Sequence, residues 1–145
     1  MTIVTHVLAT TLGVQVGRLH GGDVALAYAF GVAVDADHAL KAPFYVRSGG
    51  FEKRLGYYWR SSLQEPVALL WVVPLAIALG TWVPVVFLLI HMAMDYSVRY
   101  EKMPFYPYSR WITRGWLVSV PDWAKEAPLV VVLLCLNVLA FLHRS

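Results

Sequence analysis

Val34-Asp35-Ala36-Asp37-His38 closes an apolar segment with two carboxylates and an imidazole. Residues of these types are rare in such a segment unless function keeps them there. Three further polar clusters answer this stretch: His6, the pair Gln64-Glu65, and His91 with Asp95, each near one end of its own apolar segment. Whether the four can meet depends on how often the chain reverses direction between them, and that question decides the fold.

Hydrophobic residues make up 59% of the 145 and charged residues 14%, against roughly 25% charged in an ordinary soluble domain. The chain reads as an integral membrane protein, a single domain over 1–145 with no repeat, low-complexity tract or linker. Its start, Met1-Thr2-Ile3-Val4-Thr5-His6, lacks the basic n-region and cleavage site of a signal peptide, so the first segment is expected to stay. Cys135, the lone cysteine, cannot form an intramolecular disulfide.

Residues 3–17 are expected to form a first helix with His6, Thr10, Gly13 and Gly17 on one small, polar face. The Gly13-x-x-x-Gly17 spacing invites close approach of another helix, which would carry His6 into the bundle. His20-Gly21-Gly22-Asp23 reads as a tight turn, and Val24 to His38 as a second helix sharing Tyr28, Gly31, Asp35 and His38 on one face. Asp37, about 200° around the axis from Asp35, points elsewhere and has Lys41 as an i,i+4 partner. Pro43 ends any helix.

The 41–60 loop is basic, with Lys41, Arg47, Lys53, Arg54 and Arg60. Ser62-Leu63-Gln64-Glu65 fits a capping box ahead of a third apolar run, Val67 to Leu79, with Pro66 tolerated in the first turn. That pattern offers Glu65 a purely structural role. Gly80-Thr81-Trp82 punctuates the chain before a fourth segment, Val83 to Val98, whose His91 and Asp95 share a face. A plain Asp95–Arg99 pair is the structural alternative there. Tyr96 to Trp123 is aromatic and basic, the composition of a membrane interface, with Ser109 to Val118 able to form a short helix in the headgroup plane. Ala127 to Leu142 is the last apolar segment.

Several segments fall short of the ~20 residues a spanning helix needs, so their polar ends must count toward the span. The expected fold is all-α, a polytopic membrane bundle of five short transmembrane helices, or four, with an interfacial aromatic loop. With alternating directions, His6, then Asp35, Asp37 and His38, then Gln64 and Glu65, then His91 and Asp95 all come to one membrane face. That face also carries the 41–60 and 96–126 loops, with five Lys or Arg in each; Arg18 and Arg144 fall opposite. The positive-inside rule makes the face cytoplasmic and the localisation the inner membrane. The net charge of +3 needs no nucleic-acid partner.

Imidazoles and carboxylates without thiolates suit one or two divalent ions, Zn, Mn or Fe rather than Mg. The expected metal ligands are His6, Asp35, His38, Gln64, His91 and Asp95. The sequence holds no G-x-S-x-G, P-loop or dinucleotide fingerprint.

Thr5-His6, then Asp35-Ala36-Asp37-His38, a motif ahead of the third segment, and His91-x-x-x-Asp95 before a Pro-rich aromatic stretch resemble, in that order, the YdjM-like membrane-bound metal-dependent hydrolases. The resemblance covers residues 5 to about 107 and implies a hydrolase. Val34 stands where that family has a proline. Trp59-Arg60-Ser61-Ser62-Leu63-Gln64-Glu65 stands where it has His-Arg-Gly-x-Thr-His-Ser, so Arg60 is kept and Gln64 takes the second histidine's place.

The expected activity is hydrolysis of a phosphoester or acyl ester of a membrane lipid, an anionic amphiphile, at the cytoplasmic interface. A metal that lowers the pKa of its water toward ~7 makes hydroxide available at neutral pH. Glu65 or Asp37 is expected to be the general base, and Arg60 to bind an anionic oxygen as charge develops. The alternatives are a membrane di-iron oxidoreductase, a metal or proton carrier, and a structural membrane protein whose polar residues only pair.

Overall fold

The computed structural model describes residues 2–36, 62–98 and 119–143, with Phe105, Tyr108, Ser109, Trp111, Thr113 and Leu117 between the last two stretches. The described residues form five α-helices: α1 (Ile3–Val16), α2 (Gly22–Gly31), α3 (Leu69–Leu79), α4 (Val83–Val98) and α5 (Asp122–Leu142). Three 3-10 turns accompany them, Ala33–Asp35 after α2, then Ser62–Gln64 and Pro66–Ala68 before α3. No β-strand occurs among the described residues.

The reversals are short and built from the residues that tolerate them. After α1 the chain turns through Arg18 and Gly21, both at positive φ (50° and 58°). Gly80, at φ 67°, ends α3 in the left-handed region, its N–H on Ile77 O and the Thr81 N–H on Ala76 O. This pair of bonds satisfies the last carbonyls of α3 and sends the chain directly into α4.

α2 packs on α4, α4 on α3, and α1 on both α2 and α5. Ala68, Val72, Leu88 and Met92 form the apolar core between α2, α3 and α4, with Phe30 and Val34 against it. Only half of the Gly13-x-x-x-Gly17 face is used for close approach. A Cβ on Gly13 would lie 2.9 Å from the Phe87 ring of α4, whereas Gly17 meets α1's own backbone and Leu19. The tightest contact is at Gly31, where a Cβ would run into Thr10 Oγ1 of α1.

Among the described residues one helix is long and apolar enough to cross a membrane: the 20 residues Trp123–Leu142 of α5, whose most apolar 18-residue stretch is 11% buried inside the protein. At 1.5 Å per residue it reaches about 30 Å, the thickness of a hydrocarbon core. Ile3–Val16, Pro66–Leu79 and Val83–Ser97 are apolar but shorter. α5 is tied to α1 by Asn137, whose amide donates to Leu8 O at 3.0 Å and to Leu133 O in its own helix at 2.7 Å.

Three expectations change. The second helix does not run to His38: regular winding stops at Gly31, Val32 sits at φ −132°, and a 3-10 turn follows. The capping box does not form, because Glu65 is extended (φ −111°, ψ 158°) and winding restarts at Pro66. A residue preceding proline is pushed out of the α region by the ring, which overrides the box pattern. The last helix starts at Asp122 rather than Ala127, because its first turns are polar and hydropathy does not register them. The suggested Ser109–Val118 helix falls mostly outside the described residues.

Candidate metal centre

His6 lies in the first turns of α1, while His91 and Asp95, one turn apart on α4, present the same face. Asp35 closes the 3-10 turn after α2. The alternating helices bring these four together. The His6 and His91 rings stack with centroids 4.1 Å apart and planes 17° apart. His6 Nε2 lies 3.3 Å from Asp95 Oδ1 and 3.7 Å from Asp35 Oδ2, and His91 Nε2 lies 3.6 Å from Asp35 Oδ1. His6, His91 and Asp95 are each 1% exposed, and the Asp35 side chain is 15% exposed.

The break in α2 helps set the state of His91. In a regular helix the Gly31 carbonyl would accept the Asp35 N–H, but here that N–H bonds to Val32 O. The Gly31 carbonyl instead lies 3.0 Å from His91 Nδ1. A carbonyl can only accept, so Nδ1 carries the hydrogen, and in the neutral ring Nε2 keeps its lone pair. That is the arrangement in which metal-bound histidines are held.

His91 Nε2 then faces a carboxylate oxygen, acceptor against acceptor. His91 Nε2 and both nitrogens of His6 are buried with no hydrogen-bond partner. An unsatisfied buried polar group costs about 1–3 kcal/mol, so a cation among these atoms removes a penalty as well as adding bonds. One donor atom from each of His6, Asp35 and His91 lies within 4.8 Å of the others, close enough to bind a metal ion. Zinc bonds of about 2.0–2.2 Å set tetrahedral ligands about 3.3–3.6 Å apart. The observed spacings of 3.3 to 3.7 Å are close to that.

Gln64, buried at the same end, turns its amide nitrogen to Asp35 Oδ1 at 2.9 Å and Val34 O at 3.3 Å. An amide nitrogen has no lone pair to offer a metal, so the atom facing Asp35 is a donor and not a ligand. Buried Glu65 accepts a hydrogen bond from the Tyr96 hydroxyl. Tyr96 follows Asp95 directly and had read only as an interfacial aromatic; a hydroxyl one residue past a buried carboxylate was the available signal. The Gly31 carbonyl had no signal at all, because every residue carries one. Asp37, His38 and Arg60 lie outside the described residues. His20, in the turn after α1, is exposed, its Nδ1 3.2 Å from Arg18 O.

The reading of this centre rests on its own geometry, because the chain matches no protein-family model, no curated protein and no solved structure.

Proposed function

We propose that this protein is a polytopic helical membrane protein that holds a divalent metal ion between α1, α2 and α4 and hydrolyses an ester of an anionic amphiphile at the cytoplasmic face. The observation that carries the reading is the pair of buried Nε2 atoms of His6 and His91, which make no hydrogen bond and face the carboxylates of Asp35 and Asp95. His6, Asp35 and His91 would hold the ion, with Asp95 beside His6 as a fourth donor. Such an ion supplies Lewis acidity and brings the pKa of a water toward neutrality. Gly31 fixes the His91 tautomer, and Glu65, with Tyr96 holding Oε2, is the residue assigned to take up a proton.

Membrane embedding of the whole bundle is supported by an inverted α1. Its buried residues are Thr5, His6 and Thr10, while Ile3, Val4 and Val16 are exposed, the reverse of a water-soluble helix. α1 and α4 have 14 and 16 residues, about 21–24 Å of helix, so they do not fill a ~30 Å core without their polar ends. These lengths support a centre at an interface. After α4 the backbone returns to it, Leu117 N–H on Ser97 O at 3.3 Å, shortly before α5 begins. A start for α5 at the centre's end of the bundle agrees with five alternating spans. The cytoplasmic orientation and the anionic substrate rest on the basic 41–60 and 96–126 loops, and the hydrolase class on the resemblance to the YdjM-like family.

The purified chain in detergent is expected to carry a divalent ion and to hydrolyse a lipid or phosphoester with added Zn or Mn. Metal-dependent turnover that survives Asp35→Ala with His91→Ala would remove these residues from the reaction. For orientation, cysteines placed at positions 48 and 145 are expected to label from opposite sides, and labelling of both from one side rules out five spans.

A further inference from the structure

Asp35 hangs on a 3-10 turn that the Val32 break separates from α2, so helix continuity does not fix its carboxylate. Gln64 bridges to it from the turn Ser62–Gln64, on a distant part of the chain. Gln64 is 5% exposed, and its side-chain nitrogen meets two oxygens that lack hydrogens, Asp35 Oδ1 and Val34 O. The reversed amide would set Oε1 against both, so the chemistry of the acceptors fixes its orientation.

The oxygen that Gln64 holds is the one 3.6 Å from His91 Nε2, and its twin, Oδ2, lies 3.7 Å from His6 Nε2. A carboxylate oxygen has two acceptor directions, and Gln64 takes one of those on Oδ1. The second bond, to Val34 O, fastens the turn itself, so both the side chain and its backbone are held by one amide.

The geometry points to Gln64 as the positioning residue of the metal centre: it holds the Asp35 carboxyl group turned so that one oxygen faces each histidine. This rests on the metal reading above. Gln64 then acts on a bound cation only through Asp35, as outer groups do when they orient a metal's carboxylate; their loss costs about 10–100-fold in affinity.

The test is a double-mutant cycle on the full chain in detergent, read as Zn²⁺ affinity by chelator competition. Gln64→Met keeps length and volume but removes the donor, and is expected to weaken Zn²⁺ binding about 10–100-fold. In an Asp35→Asn background the same change is expected to have no further effect, since the group it positions is already altered. Gln64→Asn, which keeps a donor amide one methylene shorter, is expected to lose less than Gln64→Met. Far-UV circular dichroism and the unfolding midpoint of the metal-free variants are expected to match those of the parent.

Equal losses in both backgrounds, with a lowered metal-free midpoint, would mean that Gln64 only supports the fold and would overturn the inference. Binding that His91→Ala abolishes and Gln64→Met leaves untouched would overturn it while sparing the metal reading. A parent chain that binds no Zn²⁺ overturns both.

Discussion

α1 and α5 lie side by side and are composed largely of the same apolar residues, yet they are built to opposite ends. α5 has 21 residues, most of them exposed and apolar, with Asn137 joining it to α1. α1 has 14 residues and turns Thr5, His6 and Thr10 inward, where His6 stacks on a second imidazole. Length and apolarity decide whether a helix can span. The few polar residues on its buried face decide what it does there. α5 has the first property in full, and α1 has the second at the expense of the first.

The contrast predicts unequal responses to substitution. The largest effect is expected from His6→Leu in α1. Zn²⁺ affinity should fall by more than the ~10–100-fold typical of an outer group. The metal-free protein should unfold at a higher temperature, because two buried nitrogens that make no hydrogen bond are replaced by apolar atoms. A metal-free midpoint that falls would show that the His91 stack and the Asp95 contact of His6 outweigh its unmade hydrogen bonds in the resting protein.

A middle-sized effect is expected where α1 meets α2. Gly31→Ala drives a methyl into Thr10 Oγ1 and displaces the carbonyl that holds His91. Overpacking of this kind costs about 1–3 kcal/mol. Adding Thr10→Ala should recover part of it in denaturant unfolding, and no recovery would place the strain elsewhere. The smallest effect belongs to α5. Asn137→Leu removes the bond to Leu8 O, a loss of about 0.5–1.5 kcal/mol for one hydrogen bond. Zn²⁺ affinity should not change; a change would mean that α5 reaches the centre.

The sequence was most legible where a feature repeats. The bounds of α1 and α4 follow from apolar runs ended by Gly and by charge. The meeting of His6, Asp35, His91 and Asp95 follows from counting reversals. It was least legible where tertiary contact overrides a local rule. The α2 break at Val32 leaves no mark in hydropathy, since Val32, Ala33 and Val34 continue the apolar run, and its visible consequence, the Gly31–His91 bond, joins residues far apart in the chain. Glu65 is a different case. Its extended backbone was readable from Pro66, and the steric rule for that position should have outweighed the capping pattern.

The centre draws its donors from α1, the turn after α2, and α4, from position 6 to position 91. A ribosome adds roughly 5–20 residues per second, so about 4–17 s separate the synthesis of His6 from that of His91. Through that interval the nascent chain has an imidazole without its stacking partner and a Gly31 carbonyl without its donor. On the proposed metal reading, loading would belong to the end of biogenesis, after α3 and α4 are in place, and a truncation before position 91 would leave a chain that lacks a ligand.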